Sequence, residues 1–273
     1  MRTLIWLSVL SACDPEPPIV ASSAIDLGEP GPHPVLFERG ETGLTSCTMT
    51  WSRWSAATPM GPVLLLSHGF ARSSAQMAGW GSHLASHGLT VVTPDLCHAT
   101  FTNADHPQNA ADLVELAQAL SPRPVLYAGH SAGGLASLLA AVADSSAQGV
   151  FTLDGVDRDD LGREAALNLS APFAGLFGEP SGCNADNNGL TWLGAERPAW
   201  RVPGSSHCDF ENPTNTTCTI LCGESDTHAG SLPTETITRA FTSWAVARAQ
   251  NTDHDSTAFD AMVEQGGLEV IYR

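Results

Sequence analysis

Residues Tyr127–Gly134 read YAGHSAGG, directly after the apolar run Pro124-Val125-Leu126, and the reading of this stretch decides the fold. Gly129-His130-Ser131-Ala132-Gly133 sets a serine between two glycines at G-x-S-x-G spacing. That spacing suits a sharp strand-to-helix turn that larger neighbours would block. The turn exposes the serine hydroxyl and aims the following helix N-terminus at it. Ser131 is then a candidate nucleophile, and the amide of Ala132 a candidate oxyanion donor. Glycine and serine are common in the chain, so the bare pattern is weak. Its context strengthens it, because an apolar strand precedes it and the helical pattern AGGLASLLAAVA follows. The plain alternative is a small-residue packing turn.

Working outward, strand and helix patterns alternate. PVLLLSHG (Pro62–Gly69) is a continuous apolar run, as expected of a strand covered on both faces. A small-residue helix is expected over Ser74–Ser86, followed by the strand LTVVTPDL (Leu89–Leu96). HPQNAADLVELAQAL (His106–Leu120) is amphipathic, with Leu113, Leu116 and Leu120 on one face. GVFTLD (Gly149–Asp154), APFAGLFG (Ala171–Gly178) and PAWRVPGS (Pro198–Ser205) are further strands, and TETITRAFTSWAVARAQ (Thr234–Gln250) is a closing helix. Thr42–Trp54 is β-rich. The alternation predicts an α/β fold with a mostly parallel sheet and helices on both faces.

The ends and the bulk composition bear on location and partners. The 273-residue chain has a formal charge of −17, and all 12 basic residues are arginine. Such a surface repels nucleic acid and anionic headgroups. MRTLIWLSVLSAC (Met1–Cys13) joins one positive charge to a short apolar stretch, which suits an export signal and is too short to span a bilayer. Leu10-Ser11-Ala12-Cys13 resembles the lipobox of bacterial lipoproteins, which implies cleavage before Cys13 and its lipidation. Four segments are expected: a signal over 1–12, a flexible proline- and glycine-rich tether over 13–34, a catalytic domain over 35–250, and a C-terminal extension over 251–273. The chain is expected to be exported, as a cell-envelope lipoprotein or a secreted protein, and to be a monomer. Cys47, Cys97, Cys183, Cys208, Cys218 and Cys222 suit up to three disulfides in an exported chain. Zinc on Cys208, Cys218 and Cys222 is the weaker rival, since paired C-x-x-C spacing is lacking.

With its elbow and its alternating elements, the chain resembles the α/β-hydrolase superfamily, whose triad members follow in the order Ser, acid, His. His68 precedes the serine and therefore reads as a structural residue orienting the loop after its strand. Past Ser131 stand His207, His228 and His254. His207, in RVPGSSHCDF just beyond a strand, is the candidate base, while the other two lie in polar stretches. Asp154, ending GVFTLD, is the candidate acid, and Asp186 is the alternative acid, with Glu179 a further rival. Asp157, Asp159 and Asp160 read as a solvated or helix-start cluster. The Phe70 amide, after His68-Gly69, is the second candidate oxyanion donor.

The stretches LLSHGFARSSAQMAGWGSHLASHGLTVVTPDLCH, GHSAGG, VFTLDGVD and VPGSSHCDFENP resemble the branch containing platelet-activating-factor acetylhydrolases and plant chlorophyllases. They are similar, more distantly, to cutinase-like polyester hydrolases. The first two relatives imply the acid at Asp154, whereas the polyester hydrolases imply it one strand later, at Asp186. The resemblance implies a serine hydrolase cleaving carboxylic esters through an acyl-enzyme, with no cofactor and no metal. A thioesterase or peptidase of the same fold, or a catalytically silent binding protein, are the alternatives. Phe70, Trp192 and Trp200 are aromatic candidates for the pocket wall. The 16 residues between Asp154 and Ala171 leave no room for a helical lid.

Overall fold

The run that reads as uninterrupted apolar sequence, β3 (Val63–Ser67), is apolar because it is covered twice. Leu64 and Leu66 join one core with Trp80, Leu84, Phe241 and Trp244, while Leu65 joins a second core with Leu113, Leu116, Leu135 and Leu138. Side chains alternate across a strand, so helices on both faces demand apolar residues at every position. β7 (Val125–His130) repeats the pattern: Leu126 and Ala128 face the first core, Val125 and Tyr127 the second.

The computed structural model describes residues 26–120, 124–194, 197–223, 231–252 and 256–272. β1 (Val35–Gly43) and β2 (Thr48–Ala56) form an antiparallel hairpin at one edge. A 3-10 turn (Ser74–Met77) and α1 (Ala78–Ser86) follow β3, then β4 (Thr90–Pro94) and a small hairpin of β5 (Ala99–Thr100) with β6 (Asn103–Ala104). α2 (His106–Leu120) leads to β7. Beyond β7 come α3 (Ala132–Ala143), β8 (Ala147–Leu153), α4 (Leu161–Ala166), β9 (Phe173–Phe177) and β10 (Ala199–Arg201). α5 (Thr216–Cys222), α6 (Leu232–Ala249), α7 (Ser256–Glu264) and β11 (Glu269–Tyr272) complete the chain. The nine-stranded sheet runs β1-β2-β4-β3-β7-β8-β9-β10-β11. From β4 to β10 neighbouring strands pair in parallel, and antiparallel partners flank that block on both sides. This is the mostly parallel, doubly covered sheet that the alternation predicts, without a large lid: between β8 and β9 there is only the six-residue α4.

Two segments behave differently from their sequence reading. The stretch read as a flexible tether is described from Asp26 onward, and there it is tied to the body. His83 and His87 donate to the carbonyls of Leu27 and Glu29, Gly31 N–H donates to Ser86, and Asp26 pairs with Arg239. Proline and glycine gave it no periodicity, but its backbone groups find partners on α1. The stretch 251–273, set apart as an extension, carries α7 and β11. Phe259 and Met262 enter the first core, and β11 pairs with β10 at the edge of the sheet. The signal, Cys13 and most of the tether lie outside the described residues, as do His228 and His254.

All six later cysteines pair: Cys47–Cys97, Cys183–Cys222 and Cys208–Cys218. The thiols that zinc would need are therefore consumed. Cross-links of this kind persist in oxidising compartments outside the cytosol.

Candidate active site

The serine sits where the sequence demands an unusual backbone. Ser131 adopts φ 56°, ψ −125°, a region that side chains avoid, at the junction of β7 and α3. Its backbone is held there by Ser131 N–H to Leu153 O at 3.0 Å and by Gly134 and Val156 N–H donating back to Ser131 O. The flanking glycines are dictated by close approach. A Cβ on Gly129 would run into the Gly133 carbonyl, and one on Gly133 into the carbonyls of Ser67 and His68. β3 and α3 thus touch backbone to backbone beneath Ser131. Ala132 opens α3, where first-turn amides have no acceptor within the helix.

The loop after β3 comes up beside it. A Cβ on Gly69 would lie 3.1 Å from Ser131 Cβ, so Gly69 packs against the serine, and Phe70 and Ala71 line the same cleft. Ala71 turns at φ 54° and donates its N–H to Ala99 O at 2.7 Å. His68 is the structural residue expected. Leu96 N–H donates to its Nε2 at 3.0 Å, so Nδ1 carries the proton and donates to Gly69 O at 2.8 Å. Burial holds its pKa below the ordinary histidine value and keeps it neutral.

Asp154 and His207 meet. His207 Nδ1 lies 2.6 Å from Asp154 Oδ2, and both side chains are buried. Asp154 sits at the end of β8 and also accepts from Gly178 N–H at 2.9 Å and from Asn184 Nδ2 at 3.1 Å. The carboxylate thus fixes the imidazole with its proton on Nδ1 and leaves Nε2 as the basic nitrogen. His207 opens a 3-10 turn (His207–Phe210), and its backbone carbonyl accepts from His130 Nε2 at 3.0 Å, with the two rings 4.5 Å apart. His130 is the first of the two unspecified residues of G-x-S-x-G. Burial, then the neighbouring His207, push its pKa well below the ordinary value, so it donates as a neutral ring.

Ser131 and His207 line one cleft of about 280 Å³ together with Gly69, Phe70, Phe101 and Leu221. The alternative acid, Asp186, is exposed on a left-handed turn, and the carboxylate on His207 is that of Asp154. Asp157 caps the start of α4, accepting from Gly162 and Arg163 N–H, as a helix-start residue does. Two aromatic expectations are corrected. Trp192 is buried against Gly155 and Gly162, and Trp200 packs against Phe259 with ring centroids 4.1 Å apart, so both belong to the core. Phe101 takes their place: 75% exposed in the turn between β5 and β6, it meets Phe70 edge-to-face at 5.0 Å. Its only signal in the sequence is an apolar residue among polar ones, which is not enough to place it. Asn184 and the Arg72–Glu211 ion pair, both in contact with this apparatus, also carry no motif.

A strained serine at the head of a helix, under a cleft shared with a carboxylate-bound imidazole, is the arrangement of a hydrolase. The chain matches the alpha/beta hydrolase family over residues 63–266, well over half of its length, and belongs to that family. A comparison with curated proteins finds no match.

Proposed function

We propose that the protein is a serine hydrolase of carboxylic esters. The observation that carries this reading is His207 Nδ1 at 2.6 Å from buried Asp154 Oδ2, with His207 and Ser131 in one cleft. His207 Nε2 takes the Ser131 proton as Oγ attacks the ester carbonyl. The oxyanion is met by the Phe70 and Ala132 amides, and the alcohol leaves with the proton from His207. Water, activated by the same imidazole, then hydrolyses the acyl-enzyme while Asp154 steadies the imidazolium. An acid directly after β8 favours the arrangement of platelet-activating-factor acetylhydrolases and chlorophyllases over that of polyester hydrolases.

The cleft favours an uncharged, apolar acyl group. Phe70, Phe101 and Leu221 offer carbon surface, and the cation lining it, Arg72, is neutralised by Glu211. The three disulfides support export, and with them the reading of Cys13 as a lipid anchor to a membrane. The test is labelling by a fluorophosphonate, expected for the wild type and lost in Ser131→Ala. An unlabelled, folded wild type would instead make this a binding protein. A panel of p-nitrophenyl esters, thioesters and aminoacyl amides is expected to rank medium-chain esters first; amides or thioesters ranking first would replace the ester reading.

A further inference from the structure

Arg72 lies two residues beyond Phe70, and Glu211 four residues beyond His207. Arg72 Nε reaches Glu211 Oε1 at 2.5 Å and Nη2 reaches Oε2 at 2.6 Å, a two-pronged pair with side-chain exposures of 8% and 0%. Arg72 Nη2 also donates to Asn215 Oδ1 at 2.9 Å, and Thr214 Oγ1 to Glu211 Oε2 at 3.3 Å. Burying two charges is costly, and a buried pair is seldom the cheapest way to stabilise a fold. Its fork geometry fixes distance and direction between the segments it joins.

Those segments carry the oxyanion donor and the base of the proposed chemistry. One is the loop Gly69–Arg72, whose Gly69 packs against Ser131. The other is the turn His207–Phe210, whose end is pinned by Trp80 Nε1 to Phe210 O at 3.0 Å and by Asn212 N–H to Gln76 O at 2.8 Å. Arg72 and Glu211 both line the cleft. Resting on the hydrolase reading, we propose that Arg72 and Glu211 are positioning residues: a buried strut that locks the oxyanion loop to the loop of the base, with zero net charge beside the imidazole.

The neutrality is testable separately from the geometry. The charged and titratable groups around His207 are Asp154 beyond β8, His130 at the end of β7, His68 and Arg72 from the β3 loop, Glu179 beside Asp154, and Asp209 and Glu211 of its own segment. Glu235 faces that segment from α6, and α5 offers no titratable side chain, its cysteines being disulfide-bonded. Glu211→Gln removes the carboxylate while arginine stays charged, so an uncompensated cation disfavours the His207 imidazolium. Arg72→Lys keeps the charge and loses the fork.

The experiment is an NMR titration of the His207 ring together with the rate of fluorophosphonate labelling, on oxidised full-length protein. Glu211→Gln is expected to lower the His207 pKa by on the order of one unit and to slow labelling at least about tenfold. Arg72→Lys is expected to leave the pKa in place and slow labelling on the order of tenfold. Adding Arg72→Gln to Glu211→Gln is expected to restore the pKa without restoring the rate. Arg239→Gln, which breaks the remote Asp26 pair, is the control for both readouts. Wild-type labelling rates in folded Glu211→Gln and Arg72→Lys would overturn the proposal, as would an unmoved His207 pKa in Glu211→Gln. If Glu211→Gln fails to fold, Arg72→Lys decides. An unlabelled wild type sinks the ester reading alone, and the His207 titration then decides the strut.

Discussion

Asp154 accepts from three directions: from Gly178 N–H, from the Asn184 amide and from His207 Nδ1. Asn184 is itself fixed, its Oδ1 accepting from Ser181 and Asn187 N–H and its Nδ2 donating to Glu179 O at 2.8 Å. Replacing Asp154 by asparagine offers the ring an amide where it needs an acceptor. Asp154→Asn is therefore expected to lower kcat on the order of 10⁴-fold with the fold retained. Asp186→Asn, at an exposed turn, should change kcat less than about twofold. The reverse ranking on a p-nitrophenyl ester would move the proposed acid from Asp154 to Asp186. Gly133→Ala makes a second demand at this scale. Its methyl group has only the Ser67 and His68 carbonyls to enter, so it is expected to cost about 1–3 kcal/mol and abolish labelling. Full labelling of Gly133→Ala would mean that β3 and α3 need not touch.

At the scale of elements, α5 is seven residues long and too short to hold its own shape in water. Two disulfides hold it. Cys218 is joined to Cys208, beside His207, and Cys222 to Cys183, beside Asn184. The wall of the cleft is thus bolted to both segments that carry the Asp154–His207 pair, and Leu221 stays 58% exposed upon it. The paired variant Cys208→Ser/Cys218→Ser is expected to lose about 2–4 kcal/mol of stability by denaturant titration and to lose hydrolase activity out of proportion to that loss. Retained activity would show that the wall needs no bolt. That the six later cysteines form three disulfides was legible in the sequence, but which pairs form was not, because spacing leaves fifteen pairings open for six cysteines. What was legible followed from local chemistry. The bounds of α2 read off its leucine spacing, and the runs at Val63 and Val125 gave buried strands because both faces of the sheet are covered. β11 was not, since its burial alternates only weakly and its identity as a strand depends on pairing with three residues of β10. Ser131, Asp154 and His207 could be nominated from motif and order, while Phe101, Arg72 and Glu211 are brought in by loops whose path the sequence does not encode locally.

Across the whole molecule, acid should act against the fold. His68, His83, His87, His106 and His130 all have pKa values held below the ordinary 6.5, in each case first by burial. Unfolding returns them to ordinary basicity, so below about pH 6.5 the unfolded chain binds more protons than the native one. Their contribution is fully present above that pH and is lost as pH falls toward the depressed native values. It is lost over the widest span at His130, the most strongly shifted. Asp26 and Glu115, lowered by the backbone bond to Gly28 and by the Thr45 hydroxyl, add the same sign further down, near and below their ordinary 3.8 and 4.5. No group with a resolved shift opposes this among the described histidines and carboxylates. Denaturant titrations of the oxidised protein are therefore expected to give lower unfolding free energy at pH 5 than at pH 7. His87→Gln, which keeps a donor for the Glu29 carbonyl but cannot titrate, should flatten part of that slope. Stability that held level or rose between pH 7 and 5 would mean that these rings are not buried neutral, and with them the packing of α1 against residues 26–34 would have to be redrawn.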